Sequence, residues 1–209
     1  MTNNRQKDYL DNIVGIRRFE TFSRNEMNTV CMDLTHAVYP HDQIFGKYCT
    51  LQEYVDCPPA DIFNYLSKPE TLQEWTYSMR DMQKTEDPDI YSFVENVADD
   101  TLCYCKTFTN EEAMTVDFHC AWDQYEDLWM IYLMRIVPAQ RVFNKPGSVI
   151  FWSNCHHPYY DQNPYPEKAP KNRELWVGDV WDLFYAGHWI EMQNLKKILE
   201  YRHQQHIKT

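Results

Sequence analysis

Asp117 and His119 stand two apart in the run Met114 to Ala121, which puts both side chains on one face of a β-strand and Val116, Phe118 and Cys120 on the other. On a concave face such a pair performs general acid–base chemistry, the carboxylate orienting the imidazole or raising its basicity. Same-side strand positions lie ~7 Å apart at the backbone, so direct pairing needs favourable rotamers, and the alternative is a solvent face. His188 falls seven residues after Trp181 and four before Met192, on the apolar stripe of a helix. A buried imidazole needs a partner, because an unpaired buried polar group costs ~1–3 kcal/mol. His188 therefore reads as a ligand-contacting acid or base, or as a core histidine bonded to a carbonyl. Arg135 interrupts the apolar run Leu128 to Val137, where a guanidinium clamps a carboxylate, polarises a carbonyl or reaches solvent from a strand end.

Around these groups, Trp181, Phe184, Tyr185 and Met192 on the final helix are candidate ligand contacts. Tyr104, Tyr132 and Trp152 on the strands, with Glu95, are candidates for the same space, and each of these side chains is equally at home in packing. His119, His156 or His157, and His188, with Asp117, are chemically sufficient for a metal. They lack a local ligand spacing such as HExxH, so metal is the weaker reading and no cofactor is expected. No nucleophile elbow, Walker loop or dinucleotide fingerprint is present, and the five glycines are too scattered to cradle phosphate.

The elements that must position these residues follow from periodicity and breakers. Tyr48 to Cys57 alternates as a half-buried strand, and Pro58-Pro59 ends it. Ile62, Phe63 and Leu66 form a helical face, and Pro69 opens a second short helix ending at Trp75. Six further strands are expected over 77–83, 90–97, 101–108, 114–121, 128–137 and 148–155, with short turns that favour an antiparallel meander. A proline- and tyrosine-rich stretch, 156–178, precedes a long helix expected from Asp179 to about His203. Ahead of the domain, Asn4 to Phe22 has helical spacing and 23–46 is irregular. The chain thus divides into an extension, 1–47, and a domain, 48–209.

A net charge of -11 opposes binding to a phosphate backbone, so nucleic acid is not an expected partner. No window approaches the ~18 apolar residues of a membrane span, and the N-terminus lacks the apolar run of a secretory signal, so a cytoplasmic protein is expected. Seven cysteines without a CxxC pair read as reduced thiols.

The segment Pro59-Ala60-Asp61-Ile62-Phe63-Asn64-Tyr65-Leu66, followed by Pro69-Glu70-Thr71-Leu72 and Trp75, resembles the opening of the START-like or Bet v 1-like (SRPBCC) helix-grip superfamily. The order of elements from Tyr48 to His203 matches as well, and the nearest likeness is to polyketide cyclase/dehydrase and lipid-transport proteins. The resemblance implies an α+β domain in which a seven-stranded curved antiparallel sheet wraps a long C-terminal helix and encloses an apolar cavity. It also implies a hydrophobic small-molecule ligand. One fold hosts many activities. The leading expectation is a cofactor-free cyclase or dehydratase acting on an aromatic or polyketide-like substrate, and the alternative is a carrier or sensor of a lipid or other apolar ligand. A third reading makes the N-terminal helix and exposed aromatics an interaction surface, such as a homodimer contact.

Overall fold

The computed structural model describes residues 47–76, 78–98 and 101–206. The helix expected over Asn4–Phe22 and the irregular stretch up to Gly46 lie outside the described residues. Strand β1 (Tyr48–Val55) buries Cys49, Leu51 and Val55 and exposes Tyr48, Thr50 and Gln52, as its alternation requires. Pro58 sits in extended backbone at the N-cap of helix α1 (Pro59–Leu66), whose missing N–H at Pro59 costs nothing in the first turn. Ile62, Phe63, Tyr65 and Leu66 of α1 are buried. A 3₁₀ turn, Pro69–Thr71, then leads into α2 (Leu72–Trp75).

Six strands follow: β2 (Met79–Lys84), β3 (Ile90–Glu95), β4 (Thr101–Asn110), β5 (Thr115–Trp122), β6 (Met130–Pro138) and β7 (Ser148–Cys155). They match the expected strands to within two residues at most ends. All neighbours are antiparallel in one seven-stranded sheet ordered β1-β7-β6-β5-β4-β3-β2. Every pairing is a sequential meander except that of β1 with β7, so β1 and β2 form opposite edges and α1 and α2 carry the chain between them. Asp81, at φ 54°, sits where the β2–β3 register shifts, and Asn144, at φ 53°, ends the short helix α3 (Ala139–Phe143).

After β7 come α4 (Pro158–Asp161), a 3₁₀ turn at Pro166–Lys168, a longer 3₁₀ segment at Val177–Leu183 and helix α5 (Phe184–Gln204). The α-helix thus starts later than Asp179. Asp179 lies inside the 3₁₀ segment, where its carboxylate accepts from the Trp176 N–H at 2.7 Å. Along α5, Glu191, Met192, Leu195 and Leu199 are buried. Polar bonds fix the helix to β1: Gln193 donates to Glu53 at 2.8 Å and Lys196 to Glu53 at 2.9 Å. The Asn194 amide donates to the carbonyl of Trp75 at 3.3 Å, holding α5 against α2.

Of the expected reduced cysteines, Cys49, Cys57, Cys103, Cys105 and Cys120 are free and buried, and Cys155 is free and exposed. Among the described residues no helix is long and apolar enough to cross a membrane.

Gly178 is where the 3₁₀ segment meets α4. A Cβ added there would lie 1.6 Å from the backbone oxygen of Tyr160, a contact no rotamer change relieves. Gly178→Ala is expected to force the two segments apart at the upper end of the ~1–3 kcal/mol of overpacking. Thermal denaturation should show Tm lowered by roughly 5–10 °C. An unchanged Tm would show that this close approach is not needed.

Candidate functional site

The concave side of the sheet, α2 and the first turns of α5 enclose a cavity of about 100 Å³. The strands reach it by alternation. Phe118 and Cys120 of β5 stand beside Tyr132 and Met130 of β6, and Trp152 of β7 continues the wall. Trp75, at the end of α2, packs edge-on to Trp152 with ring centroids 5.7 Å apart and lies 6.1 Å from Phe118. The wall is therefore largely apolar, with aromatic rings among aliphatic and sulfur-bearing side chains and a few polar groups set into it.

His188 is the most placed of these groups. Its Nδ1 lies 3.1 Å from Oε2 of Glu191, three residues on along the same helical face, and the two side chains are 12% and 7% exposed. Its ring lies against Trp152 at 4.4 Å, and the edges of Phe184 at 5.2 Å and Tyr132 at 5.6 Å close on it. A carboxylate only accepts, so this contact assigns the proton of a neutral ring to Nδ1 and leaves a lone pair on Nε2. Nε2 is buried and has no hydrogen-bond partner among the described residues. A buried acceptor without a partner on a cavity-lining ring is a group that calls for an explanation.

Glu95, at the end of β3, lines the same cavity and is 8% exposed. Burial pushes its carboxyl above the usual carboxylate range and nearby Glu191 adds to the rise, while the Val97 N–H, at 3.1 Å, and the Ser78 hydroxyl favour the ionised form. The indole N–H groups of Trp75 and Trp152 are likewise buried without partners among the described residues. Burial, and after it the neighbouring Tyr160, raises the phenol of Tyr132 well above its ordinary value.

The structure divides the residues expected to do chemistry. His188, Phe184, Tyr132 and Trp152 line the cavity. Asp117, His119 and Arg135 do not: Asp117 is paired with exposed Leu133 and His119 with exposed Ile131, on the face opposite Phe118 and Cys120. Asp117 and Arg135 share an outer recess with Thr50, Thr115 and Ser153. The His119 ring rests on Phe108 at 4.4 Å; burial lowers its pKa, against the pull of Asp117. Tyr104 also points away from the cavity, its ring 5.2 Å from Tyr125, and Tyr185 is 48% exposed. Trp181 packs between His156 and Phe184, and Met192 is fully buried in the core. The sequence reading missed Glu191, although His-x-x-Glu on a helix is the spacing that joins the two side chains.

The three histidines of the metal alternative are held by separate partners. His119 is on the outer face, His156 Nε2 is 3.5 Å from Asp161, and His188 is in the cavity. His157 accepts the Tyr159 N–H at 3.1 Å as the N-cap of α4. Among the described residues, the three-donor grouping is instead Cys57, Asp61 and His203, with donor atoms within 4.8 Å of one another, where α1 meets the end of α5. Burial, and then Asp61, Asp56 and Glu200, push the Cys57 thiol up to about 12, so any metal there would first have to displace a firmly held proton.

Comparison with solved structures returns the same architecture. Protein XoxI from Bacillus cereus superposes with a TM-score of 0.50 at 10% identity, over 73% of this chain and 94% of that one. A START superfamily protein from Mycobacterium smegmatis matches at 14% identity over 76% of this chain and 98% of that one, with a TM-score of 0.45. The Aha1 dimer from Colwellia psychrerythraea matches at 11% identity, over 73% and 96%, with a TM-score of 0.47. No curated protein matches by sequence. The seven-stranded curved sheet with its long final helix is the START-like, Bet v 1-like helix-grip fold expected from the sequence. A family model covers residues 44–155, from just before β1 to the last residue of β7, and by that match the chain belongs to the family described as Domain of unknown function (DUF8713).

Proposed function

We propose that this protein is an enzyme that binds a small hydrophobic molecule in the cavity and moves a proton on it, in the manner of a cofactor-free cyclase or dehydratase. The observation that carries the proposal is the buried, unpartnered Nε2 of His188, with Nδ1 anchored on Glu191 at 3.1 Å. In a dehydration, Nε2 takes a proton from a substrate carbon, and the carboxylate of Glu191 stabilises the imidazolium that forms. Glu95, whose carboxyl burial biases toward the protonated form, gives a proton to the departing hydroxyl, which leaves as water. The proton on His188 then returns to Glu95, and the enzyme is restored. The free indole N–H groups of Trp75 and Trp152 are donors available to a developing oxyanion.

Size narrows the substrate. A dry cavity of about 150 Å³ is known to take up benzene. A cavity of about 100 Å³ therefore suits roughly one small ring, and a multi-ring polyketide or a lipid chain requires it to open. Solvent isotope exchange tests the proposal. The protein is purified under native conditions, held in D₂O, and its bound molecule released and weighed by mass spectrometry. Deuterium at carbon, or conversion to a dehydrated product, is the expected result. A molecule recovered chemically unchanged and unlabelled would make the protein a carrier.

A further inference from the structure

Three donors of different chemistry meet where the end of α5 crosses the corner after β1. Cys57 lies just before Pro58, Asp61 in the first turn of α1 and His203 in the last turn of α5. Their ligand atoms all lie within 4.8 Å of one another, and His203 Nδ1 is 3.7 Å from Asp61 Oδ2. Four ligands around zinc, at bonds of about 2.0–2.3 Å, stand roughly 3.3–3.7 Å apart, so one edge of such a tetrahedron is already set and the others close by rotation of side chains. Cys57 is the fixed member. It is 2% exposed, its N–H donates to the Val55 carbonyl at 2.9 Å, and its carbonyl accepts the Ser148 hydroxyl at 2.7 Å. Its thiol is free and has no hydrogen-bond partner among the described residues. A buried, unpaired thiol thus faces an imidazole and a carboxylate that reach solvent, 43% and 56% exposed.

Sulfur, imidazole nitrogen and carboxylate oxygen in one set suit zinc, whereas magnesium and calcium take oxygen ligands. The surroundings are acidic: Asp56 and Glu200 join Asp61 in acting on the thiol, and Lys196, bonded to Glu53 at 2.9 Å, lies 3.9 Å from Glu200 and offsets part of that charge. Glu200, about one turn before His203, accepts the Asp56 N–H at 3.0 Å and so holds the end of α5 over this corner. From this geometry we infer that Cys57, Asp61 and His203 bind one zinc ion, with water in the fourth position. On binding, the Cys57 sulfur gives its proton to solvent and coordinates as a thiolate, His203 offers a neutral ring nitrogen and Asp61 a carboxylate oxygen. The ion clasps the last turn of α5, the helix that closes the cavity, to the corner between β1 and α1. None of the three residues lines the cavity, so the site stands apart from the proton transfer proposed there.

Zinc chloride titrated by calorimetry against the full chain, kept reduced at pH 7, tests the site. One zinc per chain is expected, with a Kd of about 1 μM or tighter. Asp61→Asn and His203→Gln change exposed side chains and should each weaken that binding about tenfold or more. Cobalt(II) in place of zinc adds a direct view of the sulfur, because a thiolate ligand gives a charge-transfer band in the near ultraviolet. That band should appear in the parent chain, persist in Cys155→Ser and vanish in Cys57→Ser. If Cys57→Ser fails to fold, the two exposed variants decide. Absence of zinc binding, binding left unchanged by both Asp61→Asn and His203→Gln, or a cobalt band that survives in Cys57→Ser overturns the assignment.

Discussion

A His188→Asn protein is expected to keep its bound molecule and to exchange deuterium into it ~10²–10⁴-fold more slowly than the parent chain, the range that one general base contributes. The expectation follows from what the substitution removes. Asparagine presents neither a basic nitrogen nor a group that can hold a proton through a turnover. The cavity wall loses part of one ring but keeps its other apolar groups, Trp152, Phe184, Tyr132 and Trp75 among them. Binding is therefore expected to fall far less than exchange. Native mass spectrometry measures the first quantity and isotope content the second, on one sample. If His188→Asn exchanged as fast as the parent, the base would have to be sought elsewhere, and Glu95 would be the next residue to replace. If both proteins failed to exchange while holding the molecule, the protein would be a carrier.

The second large effect concerns stability. Arg173 donates to Asp123 at 2.7 Å, and the two side chains are only 5% and 2% exposed. The same guanidinium donates to Thr101 at 3.2 Å and lies between the rings of Trp122 and Trp176, 5.2 and 5.3 Å from their centroids. It pins the 156–178 stretch to the end of the sheet. Arg173→Met is expected to cost ~3–5 kcal/mol, because it leaves a carboxylate buried without its counter-charge. For a chain of this size the loss lowers Tm by about 10 °C or more.

The loss should depend on pH in a fixed direction. Burial holds the Asp123 carboxyl above the 3.8 of a free aspartate, and Arg173 pulls it down. Without the arginine the folded value rises further. The folded state then binds the proton more tightly than the unfolded state, so stability is fully present below 3.8 and is lost as pH rises through the folded value. The variant should therefore lie closest to the parent in acid and furthest from it at neutral pH. Adding Asp123→Asn removes the stranded charge and should restore much of the neutral-pH loss. A double variant no more stable than Arg173→Met would show that packing against Trp122 and Trp176, and not charge, is what the arginine supplies.

Much of this arrangement was legible in the residues, because strand alternation and proline punctuation are local signals. β1 and β7 read correctly to the residue at most ends, and the Pro58-Pro59 break placed α1. What alternation cannot say is which face of a strand is concave. On β5 the face of Val116, Phe118 and Cys120 is buried while that of Asp117 and His119 is half-buried, and the choice between them is made by α2 and α5, which arrive from either end of the chain. Helical spacing placed His188 on the inner stripe because its neighbours there are apolar. The same rule concealed Glu191, since a carboxylate on a helix is ordinarily assigned to solvent, and the imidazole beside it helps make its burial tolerable. The start of α5 was misread because Asp179 does bond a backbone N–H as a helix cap would, but the turn it sits in, Val177–Leu183, is 3₁₀.

The pairing of β1 with β7 has a consequence in time. Thr50 bonds Ser153 across 103 residues of chain, while every other strand pair joins consecutive strands. Closing so long a loop is entropically slow, whereas a meander assembles from its turns. During synthesis, β2 through β7 can pair as they leave the ribosome, but β1 must wait for the last strand with its edge unpaired and its apolar face uncovered. The wall that receives His188 is thus complete only when the domain is almost fully made, and α5 seals it last. A pause in translation before residue 148 would prolong the exposed state, and one after residue 204 would not.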